Sequence, residues 1–412
     1  MSYTADDCAR CRADFPALRA MRGGAPIAYL DGPGGSQVPL AVIRAIEDVY
    51  ANCNVNTGGA FAPSRDVGRR LHEARSAVAT FLGAAGPETI SFGQNMTTLC
   101  FSLAHAIGRT LEAGDAIVIT ELDHEANRGP WLMLRERGVV VREVRLRQDG
   151  RLDLDDLAAK IDTRTRLVAI GASSNALGTV NDLALVRRLS AAVGALMVVD
   201  AVHYAPHFPI DVQALGTDFL LCSAYKFYGP HVGILYSRPG TLERLPTDRL
   251  SAQNPAPPYR FETGTLNAAA IHGVRAAIDY LESLGRGANA RERLVDAMTG
   301  IAAYEHGLAA DYHRRVADLP GVRRYGPGFD DPARAPTVSI TFDGRTAGEV
   351  AAQLDERGLC IWDGDFYAVR VIEVLGLADR GGLLRTGFSL YNTREEVDRL
   401  LAALEEITRA RR

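Results

Sequence analysis

Between residues 89 and 236 the chain repeatedly sets short apolar runs between helix-like stretches, and this alternation limits the fold more than any other feature. The runs are TISF (89–92), AIVIT (116–120), VVVREV (139–144), LVAIGA (167–172), LMVVD (196–200), DFLLC (218–222) and VGILY (232–236). Such runs suit strands buried on both faces. Among the intervening stretches, SRDVGRRLHEARSAVATFLG reads as an amphipathic helix stopped by Gly83, and MTTLCFSLAHAIGR as a second helix. Strands that alternate with helices predict an α/β fold with a mainly parallel sheet covered on both faces.

Residues 251–265, SAQNPAPPYRFETGT, are Pro-rich and aperiodic, and read as the loop that leaves this first domain. Two long helical stretches follow within 268–285 and 288–317. A strand at 337–342, a helix at 346–357, strands at 358–362 and 383–390 and a helix at 394–409 then form a smaller α+β domain. The expected division is an N-terminal segment 1–25, a large domain 26–265 and a small domain 266–412. The N-terminal stretch has no evident place in either domain.

Composition removes several function classes. Lys and Arg number 46 against 50 Asp and Glu, a net charge of −4. Such a balance argues against a nucleic-acid partner or a membrane-surface partner. No apolar run approaches the roughly 18 residues of a membrane span. The N-terminal MSYTADDCARCRADF lacks the apolar core of a secretory signal. Six cysteines in 412 residues read as reduced thiols, the pattern of a cytoplasmic protein. Cys8 and Cys11 form one C-x-x-C without a second pair or matching histidines, so no metal site is expected.

Only two of the 46 basic residues are lysine: Lys160 and Lys226. Arginine cannot lose its proton or condense with an aldehyde, whereas lysine does both. Lys160 closes an Arg/Asp-rich helix and reads as surface; Lys226 lies in SAYKFYGP, an otherwise apolar and aromatic stretch. Asp200 ends an apolar strand, and ligands of open α/β sheets bind beyond such strand ends. One strand later, Lys226 falls on the same edge. An Asp beside a reactive Lys is what pyridoxal 5'-phosphate requires: the Lys holds the aldehyde, and the Asp keeps the pyridine nitrogen protonated. A helix N-cap is the plain alternative for Asp200. GQNMTTL, with Asn95 and Met96, opens a helix whose first N–H groups, with the Thr97 and Thr98 hydroxyls, suit a phosphate, although many helices begin with such capping residues. His124, in LDHEAN, follows another strand end, where a ring can stack on a flat cofactor or serve the fold alone.

Together these stretches resemble fold-type I pyridoxal-phosphate enzymes of aminotransferase class V, the group that holds cysteine desulfurases, selenocysteine lyases and isopenicillin N epimerase-like proteins. The resemblance runs from YLDGPGGSQVP (29–39) through ELDHEAN, SSNALGTVND, VVDAVHYAPH, SAYKFYGP, RFETGTLN and RTGFSLYNT to LYNTREEVDRLLAALEEI (390–407). It implies a large domain with a mainly parallel seven-stranded sheet and a smaller C-terminal α+β domain. It implies that Lys226 carries the cofactor and shuttles the Cα proton. Asp200 would pair with the pyridinium nitrogen and His124 would stack on the ring. Asn175 and His203 would lie near the ring hydroxyl, His203 standing where desulfurases usually have Gln. Asn95, Met96, Thr97, Ser223 and Tyr225 would form the phosphate cup, with Met96 and Tyr225 replacing the family's usual Thr and His. Thr265 would reach the phosphate of a neighbouring subunit, which implies a homodimer, and Arg385 would hold the substrate α-carboxylate. Asn56, with Thr57 and Phe61, would line the substrate side.

The sequence departs from the desulfurases at one loop. They carry a mobile cysteine in R-x-G-x-x-C-A; here the stretch is IWDGDFYAV (361–369), with Gly364 in register and Tyr367 at the cysteine position. Cys360 lies seven positions earlier. A phenol does not replace a thiolate as a sulfur acceptor. The sequence reading is therefore β-elimination, a C–S lyase without a persulfide. An aminotransferase or epimerase, a desulfurase using another thiol, and a catalytically silent binding or regulatory subunit are the alternatives. The loop Trp362, Asp363, Asp365, Phe366 and Tyr367 would help decide among these reactions, with Trp362, Asp365 and Tyr367 at the substrate and Asp363 and Asp365 able to meet an amine or guanidine; equally, D-G-D is a tight-turn sequence.

Overall fold

The computed structural model describes residues 3–409. Seven strands form the large sheet, in the order Ile90–Gly93, Gly233–Ser237, Phe219–Ser223, Leu196–Asp200, Thr165–Gly171, Ala116–Thr120 and Val140–Val144. Only Gly233–Ser237 runs against the others, pairing antiparallel with both its neighbours; the remaining pairs are parallel. The apolar runs read from the sequence are these seven strands. Except in the edge strand Val140–Val144, which carries Arg142 and Glu143, their apolarity follows from burial on both faces, because separate apolar cores lie on the two sides of the sheet.

The helices also fall where periodicity put them. Ala62–Leu82 ends at Gly83, whose φ of 66° is left-handed and lets the chain turn away. Met96–Gly108 starts from Asn95, whose side chain accepts the Thr98 amide in a capping box. Ala268–Ser283 and Ala290–Val316 lead into a four-stranded antiparallel sheet in the order Val322–Tyr325, Thr337–Phe342, Leu383–Gly387, Trp362–Gly364. A third apolar core lies with this sheet.

Two segments differ from the sequence reading. The expected strand at 358–362 is divided: Leu359–Cys360 pairs in parallel with Ala28–Tyr29, and only Trp362–Gly364 joins the small sheet. The N-terminal stretch thereby gains its place. Its helix Ala5–Arg12 buries Cys8 and Cys11, and the Cys8 thiol donates to the Asn392 carbonyl at 3.3 Å. Phe15 packs edge-on against Tyr228 and Tyr280. The two cysteines are core side chains on one helical face. The expected strand at 383–390 stops at Gly387, because Phe388–Asn392 turns: Ser389 donates its amide to the Asn392 side chain at 2.8 Å.

Candidate active site

A cavity of about 900 Å³ opens at the C-terminal ends of the large-sheet strands and is walled by the small sheet. It gathers the expected residues Asn95, Met96, Thr97, Thr98, His124, Asn175, Asp200, His203, Ser223, Tyr225, Lys226, Trp362, Asp363, Asp365, Phe366, Tyr367 and Arg385. Asn56 and Thr265 are not among them. They line a second cavity with Tyr50, Arg75 and Glu262. Asn56 is tied there, its carbonyl accepting from the Ser64 hydroxyl at 2.6 Å.

The floor comes from strand ends. Asp200 is the last residue of Leu196–Asp200, and Lys226 closes a short 3-10 turn directly after Phe219–Ser223. These are neighbouring strands. Lys226 is 9% exposed, and its Nζ donates to the Pro33 carbonyl. Burial, aided by the Arg385 charge, pulls its amine down to about 7. Burial pushes the Asp200 carboxyl up to about 6, against the Val202 amide that Oδ1 accepts at 2.9 Å. Burial, with Lys226 and Arg385, pulls His124 down to about 4. Its Nδ1 accepts the Ala126 amide at 3.0 Å, so the neutral ring carries its proton on Nε2. His203 is likewise held well below its ordinary range by burial, and its Nε2 meets the Thr337 hydroxyl at 3.0 Å.

At the start of helix Met96–Gly108, where the phosphate is expected, the Ser223 hydroxyl accepts the Met96 amide at 3.0 Å and Asn95 takes that of Thr98. The first-turn Thr97 amide, with its hydroxyl, is left at the cavity wall for an anion. Tyr225 stacks on His231 with ring centroids 4.7 Å apart. At the opposite end, Arg385 is 3% exposed. Its Nη2 donates to Asp31 at 2.8 Å and its Nη1 to the Asn175 carbonyl at 3.2 Å.

Several contributors escaped the sequence reading. Asp31 pairs with Arg385 across 354 positions, a relation no local pattern carries. Asp123 is buried, accepts the Gly171 amide at 2.6 Å, and is pushed up to about 7 by burial. Its place beside His124 after a strand was the available signal. Phe366 was expected as part of the loop, but not its contact with Arg385, whose guanidinium carbon lies 4.2 Å from its ring centroid. Asp365 accepts the Tyr367 amide at 2.9 Å, so it acts as a turn residue within the loop.

The polar atoms left over suit pyridoxal phosphate. Asp123 Oδ2, Asn175 Oδ1, His203 Nδ1 and Arg385 Nε are buried without a partner among the described residues. All four residues line this cavity, together with the amine of Lys226 and the carboxyl of Asp200. Unpartnered buried polar groups are costly and call for a ligand that completes them. None of the six cysteines lines the cavity.

Comparison with known proteins agrees with this geometry. The family model "Aminotransferase class-V" matches residues 28–400. A cysteine desulfurase of Dickeya dadantii is 36% identical over 97% of this chain and 96% of its own length. One from Pectobacterium atrosepticum is 34% identical over 99% of each. Among solved structures, the apo cysteine desulfurase of Thermococcus onnurineus superposes with a TM-score of 0.86 at 29% identity, covering 97% of this chain and 98% of that one. An S-sulfonic acid form of a cysteine desulfurase from Escherichia coli gives 0.83 at 28% identity, covering 97% and 98%. The chain belongs to the aminotransferase class-V family and is a pyridoxal-phosphate-dependent enzyme with the fold-type I architecture.

Proposed function

We propose that this class-V enzyme cleaves the Cβ–S bond of a cysteine-derived α-amino acid by β-elimination. With one water consumed, the products are a thiol, pyruvate and ammonia, and no persulfide forms on the protein. The observation that carries this reading is the site wall: no cysteine lines the cavity, and Tyr367, which the resemblance sets at the desulfurase cysteine position, does. Cys360 lies in a strand paired with Ala28–Tyr29, and burial pushes its thiol up. The buried thiols of Cys100 and Cys222 are also pushed up, which disfavours the nucleophilic thiolate.

When bound, pyridoxal phosphate supplies an aldehyde for the substrate amine and a conjugated ring that accepts the electron pair of the broken Cα–H bond. Lys226 would hold the cofactor and would take the Cα proton; an amine near 7 suits that transfer at neutral pH. Asp200 would pair with the pyridine nitrogen, and the neutral His124 ring would stack on the cofactor. Asn175 and His203 would serve the ring hydroxyl, and Asn95, Met96, Thr97, Ser223 and Tyr225 would hold the phosphate. Arg385 receives the substrate carboxylate on its Nε edge, since Asp31 and Asn175 already occupy the far side. Tyr367 donates its phenol proton to the departing sulfur. Trp362, exposed at the mouth, meets the sulfur substituent.

A homodimer accompanies this reading. Thr265, in the second cavity beside exposed Tyr50 and Val55, would reach the partner's phosphate, and Asn56 would face the partner's substrate. Free thiols throughout suit a cytoplasmic enzyme, and no helix among the described residues is long and apolar enough to cross a membrane. A desulfurase working through another thiol is favoured by one observation, the name that the curated relatives carry.

The test incubates the cofactor-loaded protein with L-cysteine, L-cystine and S-substituted cysteines. Many equivalents of pyruvate per site are expected, with hydrogen sulfide released from L-cysteine, thiocysteine from L-cystine and a thiol from S-substituted cysteines. One equivalent of a substrate-derived keto acid per site, followed by arrest, would instead identify a transaminase.

A further inference from the structure

We infer that Phe366 is a positioning residue for Arg385, and that the rigid turn carrying it makes the site selective for an α-carboxylate. The inference rests on the proposed role of Arg385, and it goes beyond it to a residue outside the usual cofactor and substrate set.

A guanidinium that is 3% exposed needs support on every side. Asp31 and the Asn175 carbonyl hold one edge of Arg385, and Nε on the other edge has no partner among the described residues. The remaining support is Phe366: the guanidinium carbon lies over its ring, 4.2 Å from the centroid, and the residue is itself only 6% exposed. A desolvated guanidinium over an aromatic face is attracted to the ring quadrupole. The ring also blocks rotation of the plane, so the Nε edge keeps one direction.

The backbone around Phe366 is held for this purpose. Phe366 and Tyr367 have φ of 57° and 56°, left-handed values that bulky side chains rarely adopt. Such conformations persist where surrounding contacts over-determine them. Here the Asn175 side-chain amide donates to the Phe366 carbonyl at 2.9 Å, and the Glu125 amide donates to the Tyr367 carbonyl at 2.7 Å. The Tyr367 amide is taken by Asp365. Asn175 therefore touches Arg385 with its backbone and Phe366 with its side chain, joining the two into one unit. Tyr367 lies tilted against His124, ring centroids 5.7 Å apart. The turn is a fixed wall of the substrate site.

The experiment measures binding by visible absorption on the loaded protein, using two ligands that cannot undergo C–S elimination: L-norleucine, and n-pentylamine, which lacks the carboxylate. The variants are Phe366→Ala, Phe366→Leu, which keeps volume without the π face, and Phe366→Tyr. Phe366→Ala is expected to weaken norleucine about tenfold while pentylamine stays within about twofold, with Phe366→Leu showing part of the loss and Phe366→Tyr restoring wild-type binding. Equal weakening of both ligands, or unchanged norleucine binding in both Phe366→Ala and Phe366→Leu, would overturn the inference. Wild-type protein that shows this ligand selectivity yet releases no pyruvate from any S-substituted cysteine contradicts the lyase reading alone, and the variant comparison still decides the role of Phe366.

Discussion

Lys226 and Asp200 stand at neighbouring strand ends of the large sheet; Phe366 and Tyr367 stand in a short turn after an edge strand of the small one. Both regions face the same cavity, but they are held differently. The floor inherits its precision from the parallel ladder, where register fixes which residue ends each strand. The wall is fixed by hydrogen bonds from distant elements, Asn175 and Glu125, against an unfavourable backbone conformation. The floor also carries the groups that burial has moved toward neutral pH. On the proposed reading, the difference assigns cofactor chemistry to the floor and the choice of reaction to the wall.

The largest effect tests the floor. Lys226→Ala should lose the cofactor-linked visible band and slow turnover on the order of 10³-fold or more. Retained turnover by steady-state assay would dissolve the distinction between the two regions, since the floor would no longer hold the chemistry. Next, Tyr367→Phe should lower kcat for an S-alkyl cysteine about tenfold to a hundredfold, because an alkyl thiolate needs a proton on departure. For cystine, whose leaving persulfide is more acidic, the loss should be much smaller. Equal losses for both substrates would remove Tyr367 from the proton-transfer role and leave it as wall alone.

The pH dependence of cofactor capture offers a smaller, sharper comparison. Lys226 must be neutral to attack the aldehyde, and burial lowers its pKa to about 7. Below that pH the amine is protonated and unreactive; above it, neutral. The capture rate of the apoprotein should therefore rise about tenfold from pH 6 to pH 8 and level off beyond. A rate still climbing tenfold per unit near pH 9, measured by stopped-flow absorbance, would mean that the floor leaves its lysine close to an ordinary one.

The same contrast explains what could be read in the sequence. Asp200 and Lys226 were legible because continuous apolar runs mark buried strands and their ends are sharp. Lysine scarcity added weight to Lys226. Tyr367 was legible as a departure, with Gly364 setting the register. The Asp31–Arg385 pair and the Phe366 contact were not, because they join residues distant in sequence and leave no periodic trace. The division of 358–362 between two strand pairings was hidden for the same reason: the partner, Ala28–Tyr29, lies more than 300 positions away. Asn56 and Thr265 gained their expected roles from resemblance, and within one chain they sit apart from the cavity.

The most direct test of the central claim is intact-protein mass spectrometry of the loaded enzyme, sampled during turnover of L-cysteine and of an S-alkyl cysteine with and without a reducing agent. The account predicts accumulating pyruvate with no sulfur adduct on any of the six cysteines. A reductant-labile sulfur adduct on any cysteine that forms and decays at the rate of turnover would contradict it, and would show that a sulfur-accepting thiol operates outside the wall where Tyr367 stands.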